Sequence, residues 1–181
     1  MIPEKGHRRL RIGRWSAPGA TYFLTICAGP LPESTGELHG LCQPEVFQAL
    51  LRISHGMELE QAWRLRCLTL MPDHLHAVME LGRAVALSEA VRLFKGRSSI
   101  LLRKVGLAWQ KGGVYDHRMR ADEPRLPVYH YIFMNPYRKG LVNAGQTWPY
   151  FWCADEDRAW FIPCTDGGMP YPEWLKGASG A

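Results

Sequence analysis

Absences set the first limits on this chain. The 181 residues contain no C-x-x-C pair, and the five cysteines (Cys27, Cys42, Cys67, Cys153 and Cys164) are odd in number and widely spaced. Neither a zinc cage nor a disulfide framework is supported. No apolar run approaches the roughly 18 residues that a membrane-crossing helix needs, and the opening stretch from Met1 to Arg9 lacks the apolar segment of a secretion signal. A cytoplasmic protein with no membrane partner is expected. There is no internal repeat that would suggest a solenoid. There is also no carboxylate-rich motif that would complete a water-activating metallohydrolase site.

What is present suffices for one domain of ordinary size, because 46% of the residues are hydrophobic and can form a core. The formal net charge is +5, and its distribution says more than its sum. Arg8, Arg9, Arg11 and Arg14 cluster near the start beside a single acid, Glu4. Such an arm can lie along phosphates or stay solvated.

Periodicity then orders the elements. Ala20 to Cys27 is rich in aromatic and β-branched residues and reads as a strand, followed by a Gly/Pro/Ser-rich loop to Gly40. Val46, Phe47, Leu50, Leu51 and Ile53 recur at helical spacing between Pro44 and Gly56. Ala62 to Leu70 alternates in part and meets the turn Met71-Pro72-Asp73, so it should form a hairpin with the following strand, which runs to Leu81. A second helix spans Leu87 to Val105. Its one-signed stretch from Arg92 to Lys104, which includes Lys95 and Arg103, is a phosphate-track candidate. Residues 109–120 read as a loop entering a short extended piece, with Tyr115, Asp116 and His117 available for chemistry or for ordinary polar pairing. Pro127 starts a last helix, and Pro136 disfavours helical geometry at Asn135, so a short helix over Val128 to Asn135 is predicted.

Two constellations carry chemistry. His74 and His76 are separated by one residue on a predicted strand, so their side chains share a face. They are either half of a metal site or a pair of half-exposed polar positions. Tyr131 and Asn135 are four residues apart on the last helix and share a helical face. A phenol and an amide oxygen can then address one point. His74, His76 and Asn135 suit a hard divalent ion, Mg²⁺ or Mn²⁺, with positions left open for water or phosphate oxygens. A tyrosine attacking a phosphodiester needs such an ion to absorb developing charge.

These residues carry a family resemblance. Met71-Pro72-Asp73 before His74-Leu75-His76, the segment Trp109-Gln110 to Tyr115-Asp116-His117 and Arg120, and Tyr131-Ile132-Phe133-Met134-Asn135-Pro136 together resemble the REP-associated tyrosine transposases, a branch of the HUH single-strand transposases. Trp148-Pro149-Tyr150 is also similar to the family's post-helix segment. The resemblance spans roughly residues 8–152 and implies an α+β, ferredoxin-like domain with a central antiparallel sheet. The two histidines would stand on a central strand, with helices packed on one face and the tyrosine on one of them. It implies His74, His76 and Asn135 as metal ligands and Tyr131 as nucleophile. The implied substrate is single-stranded DNA bearing hairpins, cut through a 5′-phosphotyrosine intermediate. His117 is a possible accessory residue.

The expected organisation is a nuclease/transposase domain with its basic arm over residues 1–147 and an irregular, aromatic-rich tail over 148–181 packed on or near it. The alternative function is a binding module that recognises structured nucleic acid without cutting it. Monomer and dimer are both compatible with the sequence.

Overall fold

The computed structural model describes residues 16–32 and 40–161 and, after them, the backbone pairing of Thr165–Asp166 with Met169–Pro170. The basic arm with Arg8, Arg9, Arg11 and Arg14, and the side chains of the tail after Phe161, lie outside the described residues.

Nine elements build the unit that holds the histidines. They are β1 (Thr21–Pro30), α1 (Pro44–Leu59), β2 (Trp63–Leu70), β3 (His74–Leu81), α2 (Leu87–Lys104), β4 (Leu107–Arg118), α3 (Leu126–Arg138), β5 (Phe151–Cys153) and a 3₁₀ helix, Asp155–Trp160. The sheet order is β4-β1-β3-β2-β5, and every neighbouring pair is antiparallel. Strand β3 inserts between β1 and β2, the split βαβ arrangement of ferredoxin-like folds. The histidine strand is therefore the centre of the sheet.

Alternation decides what covers each face. Leu24, Ile26, Leu75, Ala77 and Met79 point to one side and meet Val46, Phe47 and Leu50 of α1 and Val91 and Phe94 of α2. Cys67 and Val78 point to the other side and meet Tyr129, Ile132 and Phe133 of α3. The tyrosine helix thus has a face of its own, which corrects the expectation that the helices share one.

Two elements differ from their sequence reading for identifiable reasons. Strand β4 starts at Leu107, and what reads as a loop is a bulge inside it. Pairing with β1 slips register between Ile26 and Ala28, and Gly112 there takes φ +71°. Helix α3 runs through Pro136 to Arg138 instead of stopping at Asn135. A proline at position 136 cannot donate to the carbonyl of Ile132. The buried hydroxyl of Thr69 on β2 donates to that carbonyl instead, at 2.9 Å. The proline's missing hydrogen bond becomes the helix's anchor on the sheet.

The turn before β3 is fixed from outside. Leu41 N–H donates to the Pro72 carbonyl at 2.8 Å, and Gly40 there has φ +65°. A Cβ on Gly40 would stand 2.5 Å from the Pro72 oxygen, so only glycine lets this chain pass so close.

Chain beyond α3 also belongs to the sheet. The Trp148 indole N–H donates to the Leu70 carbonyl at 3.1 Å, and β5 pairs with the edge of β2. Asp157, buried in the 3₁₀ helix, takes both Arg66 Nε (2.7 Å) and Nη2 (3.0 Å) on its carboxylate. It also accepts from the Tyr129 hydroxyl at 3.2 Å. Register slips between Leu65 and Cys67, so Arg66 occupies a β-bulge, which re-aims its side chain toward Asp157.

Candidate active site

The central row of the sheet carries the site. Thr25, His76 and Thr69 are directly opposed on β1, β3 and β2, so their side chains share the face beneath α3. His76 is buried, and its Nδ1 lies 2.8 Å from Thr25 Oγ1. His74, nearer the strand start, has its Nδ1 2.6 Å from the Asp73 carboxylate. Each ring is thus held at one nitrogen, and the two remaining nitrogens converge, with Nε2 to Nε2 at 3.1 Å.

Electrostatics favour neutral imidazole at this point. Burial, with His74 beside it, lowers the His76 pKa to about 3. With Nδ1–H directed at Asp73 and at Thr25, both Nε2 lone pairs face one point. Holding one ring nitrogen by an outer partner is how metal-binding histidines are oriented. Two imidazoles on one divalent ion at roughly 2.0–2.1 Å place their nitrogens about 3 Å apart, and the observed separation matches. The donor set therefore fits a metal. Among the described residues no group of three or more His, Cys, Asp or Glu could hold one.

Helix α3 brings the phenol. The Tyr131 ring lies 5.3 Å from the His76 ring at 66° and 6.0 Å from Phe23, which itself stacks on His76 at 5.4 Å. Arg138, two helical turns later, places its guanidinium carbon 6.0 Å from the centre of the Tyr131 ring, a cation–π distance. Asn135 is buried one turn after Tyr131. His74, His76 and Tyr131 thus meet within one chain.

The tyrosine helix is secured from the C-terminal side as well. Tyr129 stacks on Trp160 at 5.7 Å, and a ring nitrogen of His130 lies 3.1 Å from the Trp160 carbonyl. The two residues preceding Tyr131 are therefore both tied to the 3₁₀ helix, and Tyr129 to Asp157 in addition. Burial works against charge on Arg66, yet the hydrogen bond and charge of Asp157 hold the guanidinium's pKa above its ordinary value.

Other sequence-predicted residues lie elsewhere. His117 stands on β4 opposite Phe23, on the sheet face that also carries His76, but its ring is bound to Glu123 at 2.8 Å. Arg92, Lys95 and Arg103 sit on α2, behind the opposite face of the sheet. Arg92 is paired with Glu89 at 2.7 Å, and Lys95 donates to the Gln110 carbonyl at 2.8 Å. Thr25, Thr69, Phe23, Asp73 and Arg138 were not singled out by the sequence. For Arg138 a signal existed, since it follows Tyr131 by seven residues and shares its helical face.

The site thus joins a ferredoxin-like sheet, whose central strand presents two convergent imidazoles, to a tyrosine on a separate helix. Residues 39–118 match the family described as "Transposase IS200 like". That matched segment includes both histidines and ends before Tyr131. No curated protein matches the sequence. Among solved structures, a REP-associated tyrosine transposase bound to a REP hairpin superposes with a TM-score of 0.62 at 17% identity, covering 88% of each chain. A protein from Deinococcus radiodurans R1, described as a transposase by assignment, gives a TM-score of 0.44 at 18% identity, covering 68% of this chain and 95% of that one. Among the described residues no helix is long and apolar enough to cross a membrane.

Proposed function

We propose that this protein is a metal-dependent endonuclease and strand transferase that acts on single-stranded DNA beside hairpins, with Tyr131 as nucleophile. The observation that carries the reading is the convergence of the His74 and His76 Nε2 atoms, 3.1 Å apart, beside the ring of Tyr131. His74 and His76 would hold the ion, with Asn135 as a third ligand. A bound Mg²⁺ or Mn²⁺ would polarise a phosphoryl oxygen and offset the charge developing there.

The chain's own residues supply the rest. Tyr131 Oη forms a bond to phosphorus while the bond from phosphorus to the 3′ oxygen breaks. The phenolic proton leaves to solvent, and the 3′ oxygen takes one up. The product is a 5′-phosphotyrosine that a second strand end can resolve by the reverse exchange. Thr25 and Asp73 hold the imidazoles in orientation, and Arg138 adds positive charge beside the phenol. Arg8, Arg9, Arg11 and Arg14 are proposed to contact phosphates, as are Arg92, Lys95 and Arg103 where a long substrate wraps the sheet. In this reading one chain supplies both halves of the site and cuts as a monomer.

Incubation with hairpin-bearing single-stranded DNA and Mn²⁺ or Mg²⁺ tests this directly. A denaturation-resistant protein–DNA adduct is expected from the wild type and not after chelation or in Tyr131→Phe. No adduct on any hairpin, or one that survives Tyr131→Phe, overturns the reading. Retained, chelator-insensitive binding in that case would identify a non-cleaving structured-DNA-binding protein.

A further inference from the structure

We infer that Tyr115 is a stacking platform for an unpaired nucleobase next to the phosphate held at the histidines. This inference rests on the proposed action on single-stranded DNA. Tyr115 is 48% exposed and is the one aromatic among the large hydrophobic side chains exposed in the described residues. It is directly opposed to Thr25, which is opposed to His76, so all three project from the same face. Two strand spacings, about 10 Å in all, separate its backbone from that of His76.

The ring is braced without being covered. Tyr115 meets Phe23 at 6.4 Å with a 65° angle between rings, and Phe23 stacks on His76. Phe23 also meets Tyr131 at 89°. One aromatic series therefore runs from the nucleophile and the metal-ligand pair outward to the edge of the sheet. Strand β4 is that edge, and α3 packs over β2 and β3 at the other side. The face above Tyr115 is left open where a strand leaving the histidines would cross.

An exposed tyrosine on an edge strand gains nothing for folding from its outer surface. It offers a rigid π-face at small conformational-entropy cost, and single strands are held by such faces together with cationic surface. Stacking tolerates any base, since each has a π-face. The platform therefore supplies affinity and register at this position, and choice of sequence has to come from elsewhere.

The test uses the full-length protein and a hairpin-bearing single-stranded DNA carrying 2-aminopurine at successive positions along its unpaired arm. Quenching at one position is expected with the wild type. Tyr115→Ala should abolish it and weaken binding roughly five- to 150-fold, with the melting temperature unchanged. Tyr115→Trp should restore both, and Tyr115→Leu neither. The slope of log Kd against log salt should be the same in Tyr115→Ala as in wild type, because no phosphate contact is lost. Binding unaffected by Tyr115→Ala, restoration by leucine, or no quenched position overturns the inference. Adduct formation by a wild type lacking the quench would remove the platform and keep the cleavage reading. A Tyr115-dependent quench without any adduct would do the reverse.

Discussion

Replacing Thr69 by valine removes one hydroxyl while keeping a branched side chain, and its effect follows from Pro136. The Ile132 carbonyl lies in the buried contact between α3 and β2, and its helical donor is absent because residue 136 has no N–H. Thr69 Oγ1, at 2.9 Å, takes that place. Without it a buried carbonyl is left without its donor, which costs about 1–3 kcal/mol. For a chain of this size each kcal/mol lowers Tm by about 2–4 °C. Urea unfolding followed by tryptophan fluorescence should show a lower midpoint with an unchanged slope. The decisive comparison adds Pro136→Ala, which returns an N–H able to reach the same carbonyl. In that background Thr69→Val should cost at least about 1 kcal/mol less than in wild type. A Thr69→Val penalty equal in both backgrounds within about 0.5 kcal/mol would refute the reasoning.

Two further outcomes are expected. Asp157→Ala removes one partner of a buried ion pair and should lower stability by roughly 3–5 kcal/mol in the same unfolding assay. Asp157→Asn, which keeps a hydrogen-bonding side chain, should cost less, and equal losses would contradict the clamp. The second concerns pH. His76 ionises near 6.5 when unfolded and at about 3 when folded, so between those values the unfolded chain binds the extra proton. Stability should therefore be fully present above pH 6.5 and fall as pH drops toward 3. With chelator present, His76→Asn should flatten that slope, and an unchanged slope would place the titration elsewhere.

How much of this was legible in the sequence depends on the range of the interaction. Strand period alone put His74 and His76 on one face, and helix period put Tyr131 and Asn135 on one face. Both are local rules, and the structure keeps both arrangements. The register that sets Thr25 and Thr69 beside His76 is a long-range property of three strands, and no local pattern announces it. Helix α3 reads as short because Pro136 forbids a local hydrogen bond, and the bond that replaces it joins residues 63 positions apart. Residues 109–120 read as a loop entering an extended piece because Gly112-Gly113 break the alternation, while pairing with β1 keeps β4 extended. The basic run on α2 is one-signed only from Arg92 onward. Glu89, one turn before, and Glu60, which caps the end of α1, pair with Arg92 and Arg97. Only the second of these partners is beyond the reach of a local reading.

In the proposed reaction the phenol beside the histidine pair is the group that takes the phosphate. Mass spectrometry of protease-digested protein, after reaction with hairpin-bearing single-stranded DNA and nuclease trimming, measures this most directly. A nucleotide mass is expected on the peptide carrying Tyr131, with fragmentation placing it on that residue and not on Tyr129 or Tyr137. Attachment to either of those tyrosines, or an unmodified peptide from a reaction that has cut its DNA, would contradict it.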